Sequence, residues 1–68
     1  METSARNQLR GTVKSVTIGA VMAEVVMDVS GVEVVAAITK DSAERLSLSQ
    51  GIQAVAVIKA TDVMIGIE

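Results

Sequence analysis

Apolar and polar residues alternate most cleanly between Val21 and Val29. Val21, Ala23, Val25, Met27 and Val29 share one parity, against Met22, Glu24, Val26 and Asp28 on the other. A period of two with one uniformly apolar face marks a strand packed on a core. Ahead of it, Gln8 to Ile18 also alternates, but Leu9, Gly11 and Val13 hold one parity while Val16 and Ile18 hold the other. Such a switch moves side chains to the opposite face, so a bulge or sharp twist is expected near Lys14-Ser15. Gly19 is expected to turn the chain between these strands through a positive φ. Ser30-Gly31 reads as a hairpin turn into a third strand, Glu33 to Thr39. That strand is apolar on both faces, which predicts cover from both sides.

Asp41-Ser42-Ala43-Glu44 approximates a capping box, with Asp41 as the cap and Glu44 reaching back to it. A short helix to about Leu48 follows, with Ala43, Leu46 and Leu48 as its inward residues. Gly51 restarts the strand pattern. Ile52, Ala54, Ala56 and Ile58 lie on one parity and Val55 and Val57 on the other, ending at Lys59. After a turn at Thr61-Asp62, Val63, Ile65 and Ile67 predict a last strand. Three strands, one helix and two strands is the element order of the OB fold. The expected class is therefore mainly β, an OB-like five-stranded Greek-key barrel with one short helix between strands 3 and 4. No linker, internal repeat or low-complexity tract interrupts the pattern, so residues 1–68 read as a single domain.

Composition adds a constraint on assembly. A chain of 68 residues buries only about 60% of its unfolded surface, which is marginal for a lone monomer. Cys and His are both absent, which removes disulfide and zinc staples. Half of the residues are nonetheless apolar, so oligomerisation is the remaining route to burial. Neither a leader pattern nor a run long enough to span a bilayer is present, and a cytoplasmic protein is the default expectation. The net charge of −2 argues against a nucleic-acid or anionic-membrane surface.

Chemistry narrows the function further. Without His or Cys there is little for base or nucleophile work, and no catalytic residue is expected. The carboxylates Glu24, Asp28, Glu33, Asp41, Glu44, Asp62 and Glu68 are scattered and read as solvated faces or caps. Single-stranded nucleic acid, a frequent OB-fold ligand, needs aromatic platforms and a basic groove. This chain has no Phe, Tyr or Trp and is acidic. An oxyanion fits better. Ser4, Arg6, Asn7 and Gln8 place one cation among neutral donors just ahead of the first strand. Lys59 supplies a second cation near the other end, with the Lys59-Ala60 backbone as amide donors. Thr39 and Ser42 offer hydroxyls at the start of the predicted helix, where free N–H groups favour anions. The same residues also admit plainer roles: a polar lead-in at Ser4 to Gln8, a helix cap at Thr39 or Ser42, a strand-end charge at Lys59.

Ser4-Ala5-Arg6-Asn7-Gln8-Leu9-Arg10-Gly11, then Ala37-Ile38-Thr39 with Ser42, then Val57-Ile58-Lys59-Ala60-Thr61-Asp62-Val63-Met64-Ile65 together resemble the molbindins. These are small cytoplasmic proteins that bind molybdate and tungstate through a single Mop domain. The likeness runs the full length of the chain, and no departure from the main motif is evident. It implies an OB-like fold, a homohexamer arranged as a trimer of dimers, and oxyanion sites at subunit interfaces. It also implies Ser4, Arg6, Thr39, Ser42, Lys59 and Ala60 as the oxyanion-binding residues. Further sites are implied around the symmetry axes, for which Asn7, Gly19 and Ala20 are candidates by position. The family role is storage and homeostasis of intracellular molybdate or tungstate, without catalysis, free metal cation, nucleic acid or membrane. A DNA-binding or ATPase portion, found beside this domain in some relatives, is not recognisable here, so the stand-alone storage type is expected. Two other readings stay open: a general sulfate- or phosphate-type oxyanion binder, and a ligand-free oligomerisation or regulatory module.

Overall fold

A computed structural model describes residues 1–68. Four strands form one antiparallel sheet: β1 (Asn7–Ile18), β2 (Met22–Val29), β3 (Val32–Thr39) and β4 (Gln53–Ile58). A six-residue helix, α1 (Lys40–Arg45), joins β3 to β4. The spatial order β3-β2-β1-β4 is a Greek key, because β4 returns past the meander to lie beside β1.

β1 serves two ladders. Its first half pairs with β4, from Asn7 opposite Ile58 to Thr12 opposite Gln53. Its second half pairs with β2, from Thr12 opposite Asp28 to Ile18 opposite Ala23. The register slips between Val13 and Ser15, so the expected bulge is at Lys14. It turns Val13 and Val16 to the same interior despite their odd spacing. Gly11 lies where the strand passes between ladders, and β2 approaches closely there. A Cβ at Gly11 would collide with the Asp28 carbonyl oxygen. Between β2 and β3, Ser30 (φ 51°) and Gly31 (φ 88°) make the tight hairpin turn, both at positive φ as a type I′ turn requires. Gly19 departs from expectation. It turns the chain without a positive φ, and its N–H donates to the Met22 carbonyl at 2.8 Å.

Val13, Val25 and Met27 form the buried centre, with Val16, Val34, Ala36, Ile38, Leu48, Ile52 and Ala54 packed around them. Ala23 and Ala43 are the other two buried residues. The N-cap lies two residues earlier than expected. Thr39, not Asp41, is the N-cap, and its Oγ1 accepts from the Ser42 N–H. Asp41 falls in the first turn instead. At the C-terminal end Ser47 adopts φ 52°. The Ser47 N–H donates to the Glu44 carbonyl and the Leu48 N–H to that of Ala43, a Schellman closure. This closure swings Leu48 onto the core and leaves Leu46 outside, 61% exposed, against the inward position expected for it.

Two further differences concern cover. Val34, Ala36 and Ile38 of β3 pack inward, but Val35 and Ala37 on its other face are exposed. One chain supplies only one layer for that face. The last strand is also not formed: after a single 3-10 turn at Ala60–Asp62, Val63 to Ile67 pairs with nothing in its own chain. Met64 and Ile67 are 92% and 97% exposed. The sheet is therefore four-stranded and open, its β3 and β4 edges unjoined. The OB-like order holds, and the closing strand is the missing piece. The one ion pair, Lys14 with Glu33, reaches from the bulge of β1 to β3. The hydrogen bond and charge of Glu33 raise the Lys14 ammonium above the ordinary lysine range. No helix is long and apolar enough to cross a membrane.

Candidate functional site

The register of β1 with β4 places one cluster. Asn7 lies opposite Ile58, so Arg6 and Lys59 leave the ladder at the same end, as neighbours across the strand pair. Ser4 lies just beyond Arg6, and Ala60 opens the 3-10 turn after Lys59. Both cations are exposed, and neither takes part in an ion pair. The turn consumes the Lys59 carbonyl through the Asp62 N–H and the Ala60 carbonyl through the Val63 N–H. It leaves the Ala60 and Thr61 amides at its open end, without partners inside the turn. Gln8 is less available than its type suggested, because its Nε2 donates to the Ala5 carbonyl at 3.1 Å.

A second cluster stands at the start of α1. Thr39 ends β3 opposite Met22 of β2. Its hydroxyl is doubly engaged, accepting from Ser42 N–H at 3.0 Å and donating to Ser42 Oγ at 2.8 Å. The free helix amide expected at Ser42 is thus taken by the cap. Arg45 Nη2 also donates to Ser42 Oγ, at 3.2 Å. Arg45 was not among the residues singled out from sequence. The available signal was its spacing, three positions after Ser42, which puts both on one ridge of a helix. Replacing Thr39 by Val should cost about 1 kcal/mol of stability, as for a lost N-cap, while Thr39→Ser keeps the cap. Urea unfolding of the two variants checks this; equal midpoints would mean that the cap contributes nothing.

The two clusters lie apart. Arg6 and Lys59 are beyond the β1 N-terminus, whereas Met22 and Thr39 flank the far end of the sheet, where Ile18 closes β1 against Ala23. One chain therefore leaves Arg6 and Lys59, with their chain neighbours Ser4 and Ala60, at one end of the sheet and Thr39 with Ser42 at the other, and does not join the two groups. Of the position-based candidates, Asn7 is half-buried at the start of β1. Ala20 lines a shallow hollow of about 420 Å³ with Val21, Thr39, Lys40, Asp41 and Glu44. Its two carboxylates against one ammonium make that hollow a poor home for a dianion.

An OB-like sheet that presents cations, hydroxyls and amides at its ends has the donor set of a small anion-binding module. Comparison with known proteins gives the same class. The TOBE domain model matches residues 3–65. Molybdenum-pterin-binding protein 3 of Clostridium pasteurianum is 50% identical over 66 residues, covering 96% of this chain and 97% of that protein. A molybdate-binding protein from Sporomusa ovata superposes with a TM-score of 0.94 at 46% identity, over 98% of this chain and all of that one. The cytoplasmic molybdate-binding protein ModG, with molybdate bound, gives 0.93 at 43% identity, over all of this chain and 49% of its own. The chain belongs to the TOBE-domain family, among its molbindin (Mop) members, which are binding modules rather than enzymes.

Proposed function

We propose that the protein binds molybdate and tungstate at sites built between two copies of the chain, and serves as a cytoplasmic store for the anion. Ser4, Arg6, Lys59 and Ala60 of one copy hold the anion from one side, and Thr39 and Ser42 of the next from the other. The observation that carries this reading is the placement of two donor clusters at opposite ends of one sheet. A single chain cannot close them on one anion, and head-to-tail or two-fold apposition of copies can. Exposed apolar residues supply the drive to associate: Val32 and Val35 on β3, Ile18, Met22, and the tail from Val63 to Ile67. With only five of 68 residues buried, association supplies the cover that one chain lacks. The assembly in this reading is a homohexamer, a trimer of dimers, of single-domain chains, with no nucleic-acid or membrane partner. Names of several relatives include pterin. A pterin ring would call for aromatic stacking, and this chain has no aromatic residue, which favours the bare oxyanion.

The donor character of both clusters sets selectivity. Phosphate near neutral pH carries a proton that needs an acceptor, and an unmet buried proton costs about 1–3 kcal/mol. Sulfate matches molybdate in charge but is smaller, so donors fixed at molybdate distance are stretched at several contacts together. Each weakened charge-assisted bond then loses a share of roughly 1.5–3 kcal/mol. Calorimetric titration with molybdate, tungstate, sulfate and phosphate at fixed ionic strength tests this. Molybdate and tungstate should bind together and well ahead of the other two. Displacement of micromolar molybdate by millimolar sulfate would replace the reading with a general oxyanion binder, and no heat with any anion would leave a ligand-free module.

A further inference from the structure

Ser42 Oγ receives two hydrogen bonds, from Thr39 Oγ1 at 2.8 Å and from Arg45 Nη2 at 3.2 Å. A hydroxyl oxygen has two acceptor positions and one proton. With both acceptor positions occupied, the Ser42 proton is left as an outward donor. The Thr39 hydroxyl is the opposite case: its proton goes to Ser42 and its oxygen already accepts the Ser42 N–H. The two hydroxyls therefore have different work. Thr39 is committed to the helix and to Ser42, and Ser42 is the one that can donate to a ligand. A charged donor into a hydroxyl oxygen also polarises its O–H, making it a stronger donor in turn.

We propose that Arg45 is a positioning residue of the oxyanion site: its guanidinium fixes and polarises the Ser42 hydroxyl as a donor, and so sets how tightly the anion is held. This rests on the molybdate reading above. The surroundings of Arg45 agree with it. Arg45 forms no ion pair, so its charge is not cancelled. Thr39, Ser42 and Arg45 follow one another at three-residue spacing along α1. Asp41 stands one turn before Arg45 but forms no ion pair with it. Ala43, next to Ser42, is buried and anchors the helix.

The test is a cycle of Arg45→Ala, Ser42→Ala and the double variant, each titrated with sodium molybdate, with Arg45→Lys alongside. Each single alanine variant should bind about tenfold more weakly, and the double variant no more weakly than Ser42→Ala alone. Arg45→Lys, which can donate to the same oxygen, should recover most of the loss. Helix signal and sedimentation should stay parental throughout, since Arg45 is exposed. If the two losses multiply in the double variant, or if Arg45→Ala binds like the parent, the positioning role is wrong while the molybdate reading stands. If the parent itself takes up no molybdate, the functional reading fails first and this inference with it.

Discussion

Replacing Arg6 by alanine should weaken molybdate binding by roughly 2–5 kcal/mol, the range for truncating one member of a desolvated charge pair, and Lys59→Ala should do the same. Each loss should spare folding. Arg6 and Lys59 leave the β1–β4 ladder at one end, and no carboxylate pairs with either. Without an anion they repel each other, so removing one relieves the empty site rather than straining it. A sharper result concerns which chains contribute. Arg6→Ala chains keep the hydroxyl cluster, and Ser42→Ala chains keep the cationic one. Unfolded together, mixed and refolded, they should regain about a quarter of the parental sites by random pairing of unlike halves. Mixed chains that stay as weak as either alone would place the whole site within one subunit. Parental affinity for both Arg6→Ala and Lys59→Ala would remove these residues from it.

The second large effect is on folding. Gly11→Ala should cost about 3 kcal/mol, the upper end of ordinary overpacking. The added Cβ meets the Asp28 carbonyl oxygen, with Asp28 C at 3.1 Å and Val29 Cγ2 at 2.9 Å. A side-chain tip could swing away, but a carbonyl in the neighbouring strand moves only if β1 and β2 part. They would part where β1 passes from one ladder to the other, so both ladders loosen. A domain of this size has total stability on the order of 5 kcal/mol, so the loss is a large fraction of it. Gly66→Ala is the control, since nothing lies within 4 Å of its Cβ position. Urea midpoints should drop for the first variant and hold for the second. Equal midpoints would mean that β2 yields at Asp28 without cost.

Residue pattern alone carried the sheet a long way. The parity switch at Lys14-Ser15, the Ser30-Gly31 turn and the inward row of Ala23, Val25 and Met27 all reflect side chains sorting between core and solvent, which alternation records directly. The helix cap was misplaced because two signals overlap. Asp41-Ser42-Ala43-Glu44 looks like a box, but Thr39 already leaves β3 in an extended conformation, ψ 150°, and its hydroxyl reaches Ser42 first. Leu46 was misplaced because periodicity does not foresee the left-handed Ser47 that ends the helix. For the tail, alternation at Val63, Ile65 and Ile67 marks a strand-former but not which sheet edge it meets. Residue types likewise pointed to Arg6, Lys59, Thr39 and Ser42. Which of them share an end of the sheet depends on strand register, and only the ladders fix that. Arg45 was missed because its part is played through another side chain.

The double duty of β1 also orders events during synthesis. As the chain leaves the ribosome, β1, β2 and β3 emerge before β4, and the two hairpins they form are local and quick to close. The helix cap and the Thr39–Ser42 pair can follow as soon as α1 is out. The first half of β1, from Asn7 to Gly11, has no partner until β4 has been made. Arg6 therefore meets Lys59 only after β4 has been made. A nascent chain halted before β4 would hold its hydroxyls in place before Lys59 exists, so the cationic half of the proposed site is the last part to be built.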